Sequence, residues 1–127
     1  MVTPALAVTV KVDTRQWSQQ GAPLNSLMLQ QGGTAAVGDV DGDGFDEIVV
    51  GADIKQEPWV HVYDQTGRLE RAFLAYQKNF KGGVRLAVGD VDGDDIADIV
   101  TVPGPGIEAR VHMFSGTGQK KHSTGAL

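Results

Sequence analysis

The residues with the clearest chemical potential form two short acidic segments. Each carries carboxylates at positions 1, 3, 5 and 9 of a loop: Asp39, Asp41, Asp43 and Glu47 in the first segment, and Asp90, Asp92, Asp94 and Asp98 in the second. Anions this close together repel one another, so the pattern is costly unless a cation neutralises it. A tightly turning loop brings alternate side chains to one point, as calcium loops do. The two segments therefore predict cation sites.

The expected ligands are all hard oxygen atoms. Position 7 of each loop, Phe45 or Ile96, would add its backbone carbonyl to the carboxylates. Five or more oxygen ligands without nitrogen or sulfur favour Ca²⁺, because Mg²⁺ would keep more of its water. Asp and Gly also form ordinary turns, but the same pattern twice in one chain favours the cation interpretation. We expect two Ca²⁺ sites per chain.

Two other calcium-binding motifs do not fit these segments. An EF-hand needs a bidentate Glu at position 12, where this chain has Val50 or Thr101. It also needs flanking helices, whereas residues 36–37 and 48–50 are apolar and mostly β-branched, which favours strands. The calcium-binding nonapeptide of β-helices is excluded because its short period is absent.

Both acidic segments belong to an internal repeat. Residues 36–43 recur letter for letter as residues 87–94, at an offset of 51 residues, and weaker matches continue in register to Gly118. Apolar alternation within one period predicts four strands. The first three cover residues 84–90, 98–102 and 110–114 of the second unit, and the first unit shows the fourth at residues 69–76. Four short strands in about 50 residues is the size of a β-propeller blade.

The predicted fold is all-β, with blades of four antiparallel strands and about two and a half blades per chain. Residues 1–31 would form two strands of a preceding blade, and residues 32–82 a full blade with a calcium loop. Residues 83–127 would form a second blade with a calcium loop but without its last strand. Such a set leaves apolar faces without a neighbour. We expect self-association into a ring, as a homo-oligomer, or completion by further sequence of a longer propeller.

Composition excludes several classes of function. The formal net charge of −5 at pH 7 disfavours nucleic acid as a partner. The absence of Cys excludes disulfides, cysteine-rich zinc sites and thiol catalysis. No apolar run approaches the roughly 20 residues that span a bilayer, so membrane insertion is not expected. The first residues lack the basic region of a signal peptide.

Residues 39–52 resemble the calcium-binding FG-GAP repeat of integrin α-subunit propellers, and most of all its bacterial versions. The resemblance is carried by Asp39-Val-Asp-Gly-Asp-Gly-Phe-Asp-Glu-Ile-Val-Val-Gly-Ala52 and extends over residues 33–118. It implies a propeller blade with calcium between its first and second strands, where the ion rigidifies the hairpin and is not a catalyst. It also implies an extracellular or cell-surface location and a role in adhesion.

The resemblance implies the same ligands residue by residue, with two departures. Glu47 stands where the family usually has Asp, and its longer arm can shift the geometry. Asp95 replaces the Gly at position 6, where a left-handed backbone is expected and costs energy for any residue with a Cβ atom. We therefore predict weaker calcium binding at the second loop.

Other candidate residues favour structural interpretations. Alternation places His61 and His112 on the strand face opposite their apolar neighbours Val60, Val62, Val111 and Met113, which argues against a zinc site. Trp17 and Trp59 fit packing or rim positions better than sugar-stacking platforms. The segment 120–122, Lys-Lys-His, is expected to be a solvated basic tail. The Gly104-Pro105-Gly106 run lacks a phosphate-loop lysine, so nucleotide binding is not supported.

These features predict a calcium-binding, non-catalytic propeller module that acts as a scaffold or as an adhesion surface for a protein or glycan ligand. No nucleophile and base pair is recognisable, so no catalytic residue is assigned. One alternative is the propeller part of a carbohydrate-active enzyme, for which the spare carboxylates Glu57, Asp64, Glu70 and Glu108 would have to serve. Another is a self-assembling minimal propeller with no ligand beyond calcium.

Overall fold

The computed structural model describes residues 33–124, which form eight strands and no helix. The strands are β1 (Gly33–Gly38), β2 (Glu47–Ala52), β3 (Trp59–Tyr63), β4 (Leu69–Leu74), β5 (Val84–Gly89), β6 (Asp98–Pro103), β7 (Val111–Phe114) and β8 (Lys120–Thr124). They form two four-stranded antiparallel sheets, in the orders β1-β2-β3-β4 and β5-β6-β7-β8. Within this part of the chain, no helix is long and apolar enough to cross a membrane.

The predicted fold class is confirmed, since both sheets are antiparallel four-stranded blades. The predicted strands at residues 69–76, 84–90, 98–102 and 110–114 correspond to β4, β5, β6 and β7. The fourth segment of the first unit is thus a strand, as the short length and the preceding Thr66-Gly67 turn favour. The partial blade predicted at residues 1–31 lies outside the described residues.

The second unit has a fourth strand, so the prediction that it lacks one is wrong. β8 pairs antiparallel with β7, and all five of its residues are exposed. A fully exposed polar strand has no apolar alternation, and its charges are typical of a sheet edge. The available signal was the repeat itself, because the offset of 51 residues aligns Lys120 with Leu69, the first residue of β4.

The two sheets pack face to face through one apolar core. Its buried residues are Val40, Val49, Val60, Val62, Ala75, Tyr76, Phe80, Val84, Ile99 and Phe114. The rings of Phe73 and Phe114, one from each sheet, lie with their centroids 4.7 Å apart. β1 lies against β5 at one end of this interface, where the hydroxyl of Thr34 donates to the carbonyl of Val84 at 2.9 Å. The blades therefore form one packed unit.

Gly51 in β2 permits this close approach of the two sheets. A Cβ atom at this position would lie 2.8 Å from the carbonyl oxygen of Val84 and 2.9 Å from a methyl carbon of Leu86. Both distances are shorter than van der Waals contact, and one of the atoms is backbone that cannot move aside. The equivalent residue of the second sheet is Val102, which is free to carry a side chain because it is exposed.

His112 is buried at the same interface. Its Nδ1 atom lies 3.0 Å from the carbonyl oxygen of Ala75, and its ring packs on Tyr76 and Phe114. The burial of β7 alternates, so His112 faces the core while Val111 is exposed. His112 and Val111 thus lie on opposite faces of the strand, as the alternation of the sequence predicts. The ring is therefore a core group with a backbone partner.

We predict that Gly51→Ala destabilises the protein by about 1–3 kcal/mol, because the new methyl group overpacks the interface between the sheets. Thermal unfolding of the full chain measures the change. Gly89→Ala is the matched control, since a Cβ atom there meets nothing within 4 Å, and its effect should stay within about 0.5 kcal/mol. Equal effects of the two substitutions would contradict this view of the interface.

The burial of His112 also predicts a pH dependence of stability. Desolvation lowers the pKa of His112, and the charges of Lys120 and Arg110 lower it further, against the opposite effect of the Ala75 carbonyl. The unfolded chain, with a histidine pKa of about 6.5, takes up a proton that the folded state resists. The stabilisation is thus complete above that pH and is lost as the pH falls below it.

The test compares the melting temperatures of the wild type and of His112→Gln across the range in which histidine titrates. The variant should lose less stability on acidification, because one buried imidazole no longer has to be protonated. His122→Gln removes an exposed histidine of β8 and should show the wild-type loss. A wild-type loss in His112→Gln would count against the prediction.

Candidate metal centres

The two acidic loops occupy equivalent places in the two sheets. Residues 39–46 connect β1 to β2, and residues 90–97 connect β5 to β6. Each acidic segment thus forms the loop between the first and second strands of its sheet, where the sequence predicts it. They are also neighbours, since the backbone N–H of Ala97 donates to the carbonyl of Asp39 at 3.0 Å.

The carboxylate of Asp39 organises the first loop. Its Oδ1 atom accepts the backbone N–H groups of Gly42 at 2.7 Å and Asp43 at 3.1 Å, and its Oδ2 atom accepts that of Gly44 at 2.9 Å. These bonds pull the chain into a tight turn around one carboxylate. Partial burial alone would raise the pKa of Asp39, but the three N–H donors outweigh it, and the pKa falls below its ordinary value.

The next two acidic residues continue the turn. Asp41 Oδ1 accepts the N–H of Asp43 at 3.0 Å, and Asp43 Oδ1 accepts the N–H of Phe45 at 2.8 Å. Gly42 and Gly44 both have positive φ, at 81° and 90°, which glycine adopts without a Cβ penalty. The loop therefore curls so that its alternate carboxylates share one side.

The second loop repeats this geometry around Asp90. Its Oδ1 atom accepts the N–H groups of Gly93 at 2.7 Å and Asp94 at 3.2 Å, and its Oδ2 atom accepts that of Asp95 at 2.8 Å. Asp94 Oδ1 accepts the N–H of Ile96 at 3.0 Å. Asp95 has a φ of 69°, so the left-handed backbone expected at position 6 is present. That conformation costs energy for Asp, as it does not for Gly44.

The carboxylate at position 9 is buried in both loops. Glu47 is 0% exposed and Asp98 is 1% exposed. Glu47 Oε2 accepts the N–H of Val40 at 2.8 Å, and Asp98 Oδ2 accepts the N–H of Val91 at 3.1 Å. Both carboxylates belong to the acidic clusters of their loops. These buried groups are the feature that most needs a positive charge.

The second oxygens of the two buried carboxylates have different partners. Glu47 Oε1 is buried and has no hydrogen-bond partner among the described residues. Asp98 Oδ1 accepts a hydrogen bond of 2.7 Å from the ammonium of Lys121. That ammonium also forms an ion pair with Asp92 and lies 3.7 Å from Asp94 Oδ2. The second loop thus has an internal cation, whereas Glu47 Oε1 of the first has no donor.

Each loop gathers its four carboxylates into one cluster. One ligand atom from every member lies within 4.8 Å of those of the others, in Asp39, Asp41, Asp43 and Glu47 and again in Asp90, Asp92, Asp94 and Asp98. The eight predicted carboxylate positions are therefore brought together as two groups that could hold a metal ion. The carbonyl groups of Phe45 and Ile96 stay a prediction as ligands.

The negative charge of the first cluster affects the pKa of Glu47, its buried member. Desolvation, followed by the nearby charges of Asp41 and Asp43, raises the pKa of Glu47 to about 7, although the N–H of Val40 acts in the opposite direction. Desolvation and the neighbouring Asp43 charge also raise the pKa of Asp41. A cation among these groups would reverse both effects.

Lys121 is the functional residue that the sequence analysis missed. Residues 120–122 were expected to be a solvated tail, which is wrong for a lysine that pairs with three carboxylates. The signal that could have found it is the offset of 51 residues, which places Lys121 at the position of Glu70 in the first unit. Both positions follow the third strand of a unit by the same turn.

Three of the four spare carboxylates considered for catalysis have structural partners. Asp64 accepts the N–H groups of Thr66 at 2.8 Å and Arg68 at 2.9 Å and so forms the turn between β3 and β4. Glu57 accepts the indole N–H of Trp59 at 3.0 Å. Glu108 pairs with Arg110 at 2.9 Å. These contacts give the three residues ordinary roles in turns and at the surface.

The histidine and tryptophan candidates within residues 33–124 lie in packed surroundings. Neither His61 nor His112 belongs to a group of three or more metal-binding side chains within residues 33–124. His61 lies between Trp59 and Tyr63, with ring centroids 6.2 Å from each. Trp59 is half-buried against the cluster formed by Ile48 and its neighbours. Trp17 lies outside the described residues.

Comparison with known proteins agrees with this geometry. Residues 39–101 match the family described as FG-GAP-like repeat, a range that begins at the first acidic position and ends in β6. No curated protein and no solved structure matches the chain. The matched range contains both acidic clusters and the strands β2 to β5 that lie between them. The predicted resemblance to the FG-GAP repeat is therefore confirmed for residues 39–101, while the bacterial subgroup and calcium binding stay predictions.

Proposed function

We propose that this chain is a calcium-binding, non-catalytic propeller module that serves as a scaffold or as an interaction surface for a protein or glycan ligand. The observation that carries the proposal is the buried Oε1 atom of Glu47, which has no hydrogen-bond partner within residues 33–124 although Glu47 belongs to a cluster of four carboxylates. A buried acceptor without a donor is expensive. A divalent cation would neutralise the cluster and supply the missing partner.

The donor set favours calcium over other metals. Carboxylates of Asp39, Asp41, Asp43 and Glu47 would hold the ion, with the carbonyl of Phe45 as a further ligand. All of these atoms are oxygen, and Ca²⁺ accepts six to eight oxygen ligands in flexible geometry. Zinc would favour nitrogen or sulfur ligands. The ion would supply positive charge and cross-link the turn between β1 and β2. At the second loop, the ion pairs of Lys121 with the cluster disfavour calcium.

A role outside the cell is consistent with such a loop. Three of the four carboxylates are on a loop whose residues 41–46 are exposed, so the ion would be only partly enclosed. Extracellular calcium modules of this kind bind with dissociation constants on the order of 10⁻⁴–10⁻³ M. An affinity in that range suits a calcium-rich extracellular space, and we propose an extracellular or cell-surface location.

We predict that Asp43→Ala lowers thermal stability in calcium but changes it little in chelator. Calcium at roughly 100 times its dissociation constant stabilises a one-site protein by about 2.7 kcal/mol, and the variant should lose most of that gain. Differential scanning fluorimetry of the full chain in calcium, in magnesium and in chelator measures the effect. Magnesium should stabilise the wild type less than calcium does.

Asp46→Ala is the matched control, because Asp46 is an exposed acidic residue of the same loop that does not belong to the cluster. Its response to calcium should equal that of the wild type. If Asp43→Ala lost the same stability in chelator as in calcium, the aspartates would be turn formers and the calcium proposal would fail.

We also propose that a second copy of the chain binds the outer face of the second sheet. Val60 and Val62 of the first sheet are buried against the second sheet. Their equivalents at the 51-residue offset are Val111 and Met113, and Val111 is 42% exposed. In the first sheet, the face that carries Val60 and Val62 packs against the second unit of the repeat. A second copy of the chain offers the same kind of surface to the equivalent face of the second sheet.

Light scattering in calcium tests this association. The wild type should form a discrete multimer, and Val111→Glu should be monomeric because the buried charge disfavours the contact. Ile54→Glu changes an exposed apolar residue outside that face and should leave the multimer intact. A monomeric wild type, or association that survives in Val111→Glu, would contradict the proposed contact.

A further inference from the structure

β8 carries a bulge that places one residue out of register. The pairing with β7 passes from Met113 opposite His122 to Phe114 opposite Lys120, so Lys121 is the additional residue on β8. A bulge re-aims the side chain of its additional residue and is often found beside functional sites. Here the side chain reaches the second acidic loop.

The ammonium of Lys121 lies among the carboxylates of that loop. It bonds Asp98 Oδ1 at 2.7 Å, pairs with Asp92 and lies 3.7 Å from Asp94 Oδ2. Three of the four members of the cluster thus share one positive charge. The buried oxygen of Asp98 obtains the donor that Glu47 Oε1 lacks.

The first sheet has the same bulge with the opposite charge. The pairing of β3 with β4 passes from Val62 opposite Arg71 to Tyr63 opposite Leu69, which leaves Glu70 as the additional residue. Desolvation, followed by the charges of neighbouring acidic residues that include Asp41 and Asp43, raises the pKa of Glu70. The bulged position therefore adds a fifth carboxylate near the first cluster and a cation to the second.

We propose that Lys121 is a built-in counter-ion that closes the second acidic loop to metal, so that the chain binds one Ca²⁺, at the first loop. A tethered ammonium acts at a high effective concentration, in the millimolar range or above for short connections. An incoming Ca²⁺ must either displace the ammonium of Lys121 or bind beside it against the repulsion between two positive charges. This inference rests on the proposed calcium site of the first loop.

The arrangement divides the two loops by function. The second loop has a counter-charge at every calcium concentration, because its cation is part of the chain. The first loop, with Glu70 in place of the lysine, depends on an external ion. Only the loop of the first sheet would then respond to calcium, because Lys121 occupies the loop of the second sheet.

Equilibrium dialysis of the full chain against Ca²⁺ tests the inference through the number of ions bound. The wild type should bind one ion, and Lys121→Gln should bind two, because removal of the ammonium leaves four carboxylates without a counter-ion. Asp92→Asn added to Lys121→Gln should return the number to one. Circular dichroism in calcium verifies that each variant is folded.

Glu70→Lys is the reciprocal variant and depends on no change in the second loop. It should place an ammonium beside the first cluster, abolish calcium binding and make the melting temperature the same in calcium and in chelator. Glu70→Gln is its matched control and should still bind one ion. This pair tests the inference even where Lys121→Gln fails to fold.

The outcomes separate this inference from the proposed function. Two ions on the wild type, or one ion on folded Lys121→Gln, would overturn the role of Lys121 while leaving the first site in place. No ion on the wild type but one on Lys121→Gln would refute the first site and support Lys121 as the counter-ion of the second. No ion on either protein would refute both.

Discussion

The buried carboxylate at the end of each acidic loop is the constraint on which the rest of the site depends. Glu47 and Asp98 begin β2 and β6, and each accepts a backbone N–H from its own loop, which closes the loop onto the sheet. Burying a carboxylate is tolerated only when it is paired. A positive charge beside these carboxylates would stabilise them, and each acidic loop gathers oxygen atoms that could surround a cation.

The repeat meets this constraint twice on the same backbone. The turns around Asp39 and Asp90, the strand order and the bulges at Glu70 and Lys121 are equivalent in both units. Apart from the substitutions at loop positions 6 and 9, the units differ in the sign of the charge at the bulge. Since the loop is formed by carboxylates that accept backbone N–H groups, its shape does not depend on which cation neutralises it. If the first loop binds the proposed ion, one scaffold carries both a metal-dependent loop and a loop paired with its own lysine.

Much of this arrangement follows from the sequence, because its signals are local. Spacing of the aspartates predicts the clusters, and apolar alternation predicts β5, β6 and β7. β8 has no such signal, since every residue in it is exposed. The unpartnered oxygen of Glu47 and the contact from Lys121 to Asp98, 23 residues away, exist only in three dimensions. Only alignment of the two units could have suggested that Lys121 matters.

The two acidic loops also contact each other, so the difference between them affects how the first loop is supported. The N–H of Ala97 in the second loop donates to the carbonyl of Asp39 in the first. The space beside Gly42 is bounded by the side chain of Ile96, whose nearest atom would lie 3.2 Å from a Cβ placed there. A second loop held by its own lysine is a fixed support for the first. An ion bound by Asp39 and its neighbours would therefore brace a loop that already rests on a closed one, and its effect would reach the interface between the sheets.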